Sequence, residues 1–437
     1  MEAVPERQGG ALTQSGERAS KLALPKQRFA IDFKNSYQFE RMNKDNIQGS
    51  NLADFEKLNV CFVMPNLRIK SPVETQFVGT LPDTDPRVIE IAKRDSAVNA
   101  LINGFADRWG TKHQVSVMVI HKDAPKRISE ISALVSFRNI FAICRILQSW
   151  QFSIGSPNAV GTRFSDYYDF YPFSPTRDGQ EILHMGFAFH SLDTPENFHG
   201  QIYPDLPLVD NDLHFAYDEN LFDFLKEAWV ERFEKGRRDW QSNKLFRSLA
   251  IAYHASSLPK KNGLWFYDFG VSVALWISAL EILAHPGKGK RSDLRTVLDL
   301  LAQAKFSDAS VKRQRRIKHY SIPNRTGNAA EYLYWRLYDS RNAFLHGNPV
   351  TAHDVLYKRR SNASLLTSVA PVLYSAALLC HFDWFDKRHP RIKFKKGVLS
   401  GYDPKRHFTQ RHLETALKCI LTGKDKRLLL APKSTRL

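Results

Sequence analysis

Asn328-Ala329-Ala330-Glu331-Tyr332-Leu333-Tyr334-Trp335-Arg336-Leu337-Tyr338-Asp339-Ser340-Arg341-Asn342-Ala343-Phe344-Leu345-His346-Gly347 reads as one helix with both ends written into it. Asn328 followed three residues later by Glu331 is a capping pair, in which side-chain acceptors take up orphan backbone N–H groups. Gly347 suits the left-handed position that closes a helix, and Pro349 cannot continue one. His346 therefore belongs to the last turn, where the helix dipole favours positive charge.

Working outward, the pattern from about residue 218 is helical. Candidate helices are Glu219–Phe233, Arg238–Ser257, Leu264–His285, Ser292–Ala304, Asn328–His346 and Asn362–Phe385. Trp265 to Ala284 is apolar almost all round, interrupted by Asp268 and Glu281, and is expected at the centre of a bundle. The uncharged run from Ser361 to Phe382 carries Asn362, Thr367, Pro371 and His381 and reads as a core helix, not a membrane span. Upstream, Asn59–Met64 and Gln114–Ile120 read as strands, as does Ile182 to Phe189, while Pro86–Trp109 and Arg127–Gln151 read as helices. The expected fold class is α+β, a mixed α/β N-terminal domain followed by an all-α helical bundle. The expected division is a disordered segment at 1–30, an α/β sensor or regulatory domain at 31–230, the helical domain at 231–390 and a basic tail at 391–437.

Composition narrows the function. The 437 residues carry a net charge of +18, which suits nucleic acid or another polyanion as partner. From Lys387 onward there are fifteen Lys and Arg against Asp403, Glu414 and Asp425, so most of the excess lies there. The four cysteines, Cys61, Cys144, Cys380 and Cys419, have no zinc or redox spacing. Free thiols and the absence of a signal-like N-terminus lead to an expected cytoplasmic location. No Gly-rich phosphate loop occurs, and His184, His190, His199 and His214 lack ligand spacing, so no cofactor or metal is expected. The aromatic run Tyr167–Phe173 is expected as a packed loop.

The chemistry-bearing residues sit at the end of the opening helix. Arg341 can hold a phosphate, and His346 can move a proton. Asn342 and His346 are four apart and share a face, with Tyr338 one turn earlier. Arg341 and His346 are about 140° apart around the axis, so a common phosphate needs either the long Arg stem or a second copy of the helix. A homodimer is therefore expected. Glu281 would be costly to bury alone. It pairs either with Arg341, orienting it, or with a structural arginine such as Arg336.

Arg341-Asn342-x-x-x-His346-Gly347, preceded by Leu337-Tyr338-Asp339, resembles the signature of HEPN domains. It looks most like the Apea-like branch, which also has an apolar helix ending in a Leu-Glu step, here Leu280-Glu281. The resemblance covers about residues 235–385. It implies a helical bundle and an endoribonuclease that needs no metal, of the kind found among toxins and antiviral defence effectors acting as dimers. Arg341 and His346 would then be catalytic, with Asn342 the accompanying polar residue and Glu281 and Tyr338 in support. A trigger ligand or phage protein would act at the N-terminal domain. Other members of the family bind RNA or nucleotides, or partners, without cutting.

A second cluster, Lys312-Arg313-Gln314-Arg315-Arg316-Ile317-Lys318-His319-Tyr320, precedes the motif helix. Lys312, Arg313, Arg315, Arg316 and Lys318 beside an aromatic are expected to grip RNA.

Overall fold

A computed structural model describes residues 51–65, 67, 69–104, 115–155, 173–175, 182–184, 218–256, 258, 265–287, 289–348, 350–351, 354–357, 364–385, 394–395, 398–399 and 404–423. The expectations for residues 1–30, for Tyr167–Pro172 of the aromatic run and for His190, His199 and His214 lie outside them.

The fold is α+β. Strands β1 (Leu58–Pro65), β2 (Val73–Glu74) and β3 (Val78–Pro82) are followed by helices α1 (Pro86–Arg94) and α2 (Ser96–Gly104), then β4 (Val115–His121). The four strands form an antiparallel sheet in the order β1-β4-β3-β2. The helix expected over Pro86–Trp109 is broken at Asp95, whose extended backbone ends α1 and whose carboxylate accepts the Val98 N–H of α2 at 3.0 Å.

The sheet is covered on both sides. Val115, Val117 and Val119 join Leu81 and Val88 in a small core, while Met118 and Ile120 face the main one. In β1 the register against β4 shifts between Val60 and Phe62. That bulge reverses the alternation: Val60 and Val63 share the small core, and Phe62 and Met64 share the large one.

The remaining helices are α3 (Lys126–Ser129), α4 (Ile131–Gly155), α5 (Glu219–Trp229), α6 (Trp240–Ser256), α7 (Trp265–Ala284), α8 (Leu294–Leu301), α9 (Ala309–Lys312), α10 (Ala329–Leu345), α11 (Leu366–His381) and α12 (Pro404–Thr422). A π turn at Val230–Glu234 extends α5. It ties the sheet to the helices, because Glu234 accepts the Phe77 N–H at 3.3 Å and Arg127 donates to the Phe233 carbonyl at 2.9 Å. Of the strand expected at Ile182 to Phe189, Ile182–His184 is described, paired with Phe173–Pro175.

One core runs across the expected boundary at residue 230. α4, upstream of it, packs against α6, α11 and α12, and Gln151 of α4 donates to Ser375 of α11 at 2.7 Å. α4 is long and apolar enough to cross a bilayer, yet most of it is buried among these helices.

Within the stretch expected as a basic tail, 391–437, Pro404–Thr422 forms the helix α12. In α12, Leu413, Ala416, Leu417 and Ile420 are fully buried, at the i, i+3, i+4, i+7 spacing of an apolar stripe. Buried Glu414 accepts the N–H groups of Ser307 and Asp308, both at 2.7 Å, pinning α12 to the start of α9. Arg411 and Lys418 of α12 are exposed, away from this stripe.

Candidate active site

α10 begins and ends as its sequence dictates. Asn328 accepts the N–H groups of Ala330 and Glu331 at 2.9 and 3.1 Å, and Glu331 reaches back to the Asn328 N–H at 2.9 Å. At the other end Gly347 has φ +69°, and the Asn348 N–H bonds the Ala343 carbonyl at 3.1 Å, closing the helix. His346 is the capping residue and is exposed.

Burial fixes which face of α10 meets α7. Ala330, Leu333, Tyr334 and Leu337 are fully buried. Near the end, Phe344 lies against Gly270 of α7, where an added Cβ would come within 2.7 Å of the ring. Only glycine at 270 lets the two helices meet there without displacing Phe344.

This approach brings Arg341 to Glu281. The guanidinium donates to Asn342 at 3.0 Å and to Glu281 at 3.4 Å, and it lies 5.1 Å from the centre of the Tyr338 ring. Both charged side chains are about one-fifth exposed. Arg336 turns away, to Asp339 at 3.1 Å and the Tyr357 carbonyl at 3.2 Å. Of the two partners open to Glu281, the fold therefore selects Arg341. Burial raises the Glu281 pKa above the ordinary carboxylate value, and the Arg341 charge works against that rise. Tyr334 adds a residue the sequence did not single out. Its phenol is fully buried, its ring lies 6.2 Å from that of Tyr338, and burial followed by the Glu281 charge pushes its pKa well up.

The raised Glu281 pKa has a consequence for stability. The folded state holds the proton more tightly than the unfolded chain, so this contribution is present below the unfolded value of 4.5 and is lost as pH rises through the folded value. Glu281→Gln removes that loss. Melting temperature followed against pH is expected to show the variant gaining on the wild type above pH 4.5; parallel profiles would refute it.

Arg341, Asn342, Glu281 and Tyr338 thus come together, and His346 stands apart. Among the described residues the His346 ring makes no hydrogen bond to any of the four. Leu345 beside it is 60% exposed, which leaves apolar surface next to the histidine, and Val271, which follows Gly270 in α7, is 52% exposed.

The basic cluster runs beside α10. Lys312, Arg313, Arg316 and Lys318 are exposed, with no carboxylate partner among the described residues. Arg315 differs: it is half-buried and donates to the Ser310 and Arg313 carbonyls, both at 2.6 Å. It braces the turn, so four of the five expected cations are free for a ligand. Lys312 lines an open polar cleft of about 510 Å³ with Arg325, Asn328 and Glu331, at the end of α10 opposite His346. Further along, the His319 and Tyr338 rings meet nearly perpendicular, with centres 5.9 Å apart. The loop therefore leads from the helix start toward Arg341. Among the described residues no cluster of His, Cys, Asp or Glu is arranged to hold a metal ion. The chain matches no protein-family model, no curated protein and no solved structure.

Proposed function

We propose that this chain is an endoribonuclease of the HEPN kind, cutting RNA by attack of a 2′-hydroxyl on the adjacent phosphorus without a metal. The observation that carries the reading is the Arg341–Glu281 pair, which joins α7 to α10 one turn before an exposed His346. Glu281 and Asn342 hold the guanidinium in place. Its remaining N–H donors are free to bind the non-bridging oxygens as negative charge builds on them. His346 takes the proton from the 2′-hydroxyl or gives one to the departing 5′-oxygen. The O2′–P bond forms and the P–O5′ bond breaks, leaving a 2′,3′-cyclic phosphate and a 5′-hydroxyl. The exposed cations at 312, 313, 316 and 318 hold the backbone.

The site is completed in this reading by a second copy. Exposed Leu345 supplies apolar surface beside His346, and the partner's helix end would bring its own imidazole to Arg341. The role in toxicity or antiviral defence belongs to the same reading.

A rival reading has its own support. Arg341 is already engaged by Glu281 and Asn342, and His346 does not join it within one chain. Those features suit a helical module that binds RNA or nucleotides without cutting.

Labelled tRNA and mRNA incubated in EDTA with purified protein separate the two. Cleavage leaving cyclic-phosphate ends is expected. Products with 3′-hydroxyl ends, or a strict magnesium requirement, would overturn the mechanism. Salt-sensitive binding without cleavage would favour the rival.

A further inference from the structure

The turn carrying Tyr320 is rigidly held, yet it presents the ring to solvent. Ile317 and Ile322 are buried on either side of it, at 1% and 4% exposure. The Ile317 N–H bonds the Arg325 carbonyl at 2.9 Å, and the Ile322 N–H bonds the His319 carbonyl at 3.1 Å. Between these anchors Tyr320 is 92% exposed, the most exposed large apolar side chain among the described residues. It is stacked on His319, with ring centres 4.5 Å apart and planes 29° from parallel. His319 is fixed in turn by Ser321, whose hydroxyl lies 2.8 Å from Nδ1, and by a perpendicular contact with the Tyr338 ring. The face of Tyr338 lies under Arg341.

Almost wholly in solvent, the Tyr320 ring adds little to the core. The chain leaves the ring open, backs it with a second ring, and carries exposed Arg316 and Lys318 four and two residues before it. Every nucleobase has a flat face that stacks on such a ring, and cations near it in the chain suit the phosphate backbone of the same strand. Inside a duplex each base is already stacked on both faces. We propose that Tyr320, backed by His319, is a stacking platform for an unpaired base of single-stranded RNA, and that it sets the position of the strand relative to Arg341. This rests on the ribonuclease reading for its consequence, though not for the binding itself.

The test measures binding apart from cleavage. In the His346→Ala background, affinity is measured for labelled single-stranded oligouridine and oligoadenosine and for a blunt RNA duplex. Tyr320→Ala is expected to weaken single-strand binding about 5- to 150-fold, with Tyr320→Trp and Tyr320→Phe restoring it and duplex binding unchanged. The salt dependence should stay as it was, because stacking releases no counterions, whereas Lys318→Ala should flatten it. With His346 present, Tyr320→Ala is expected to raise KM more than it lowers kcat. Its melting temperature should match the wild type, the ring being in solvent.

Equal affinity for Tyr320→Ala and the wild type would overturn the platform even if the wild type cuts RNA. Tyrosine-dependent binding by a chain that never cuts would uphold it and sink the ribonuclease reading. No RNA binding by the wild type would overturn both.

Discussion

His346→Ala is expected to lower RNA cleavage by about 10²- to 10⁴-fold, the usual worth of a positioned proton donor or acceptor. The same change should leave stability within about 0.5 kcal/mol, because the side chain is exposed and the helix closure uses backbone atoms. Arg341→Ala should cost about 10²- to 10³-fold, the loss that follows removal of one donor to a developing oxyanion. It should also release Glu281 from its partner. Mixing the two inactive variants tests where the site is assembled. If the Arg341 of one chain works with the His346 of its partner, mixed dimers regain one intact site and activity returns. Failure to recover, in a protein that remains dimeric, would place both residues within one chain. Full activity in His346→Ala alone would end the catalytic reading.

Trp276→Ala is expected to have the largest effect on folding, about 3–5 kcal/mol for a large aromatic removed from a filled core. Trp276 is 2% exposed in α7, with its ring 5.6 Å from that of Tyr374 in α11. The Ser248 hydroxyl of α6 donates to the Ala279 carbonyl of α7 at 2.7 Å, so the Tyr374 hydroxyl donates to Ser248, also at 2.7 Å. Three helices thus meet around the indole, and the cavity left by alanine lies among them. Glu281 follows five residues later on α7, so a loosened helix would shift it and weaken its hold on Arg341. Chemical denaturation should show the lost stability, and cleavage should fall with it. Trp276→Phe should recover most of both. A variant as stable as the wild type would show that α7 is not the keystone of this core.

The contrast between these two variants follows how far apart the interacting residues lie in the chain. The ends of α10 depend on residues three to five apart: Asn328 with Glu331, and Ala343 with Asn348. Such contacts are written in adjacent letters, and the sequence located them within one residue. The centrality of α7 was equally legible, because a helix apolar on every side has to be buried. The cluster from Lys312 to Lys318 was visible as charge, although only the structure shows Arg315 spending its donors on local carbonyls.

What remained hidden involves long separations or competing patterns. The bulge in β1 reverses the faces of the strand within three residues, so a simple alternation misplaces them. In α12 an apolar stripe lies beneath a net basic composition. Asp95 carries a strong cap inside a pattern periodic enough to read as one helix.

By itself, then, the sequence determined the helical character of the C-terminal half, both ends of α10, and the placing of Arg341, Asn342 and His346 at its close. Those outcomes follow from backbone hydrogen bonding and from burial at a 3.6-residue period. The tertiary structure alone decided that Glu281, sixty residues away, takes Arg341 and leaves Arg336 to Asp339. It alone set His319 against Tyr338 with Tyr320 held outward. The physical reason is shared. A buried carboxylate must find a cation and a packed ring must find a neighbour, but which partner stands within a few ångströms depends on how whole helices cross. That crossing is fixed by Gly270 beneath Phe344 and by the core around Trp276, through contacts no local pattern records.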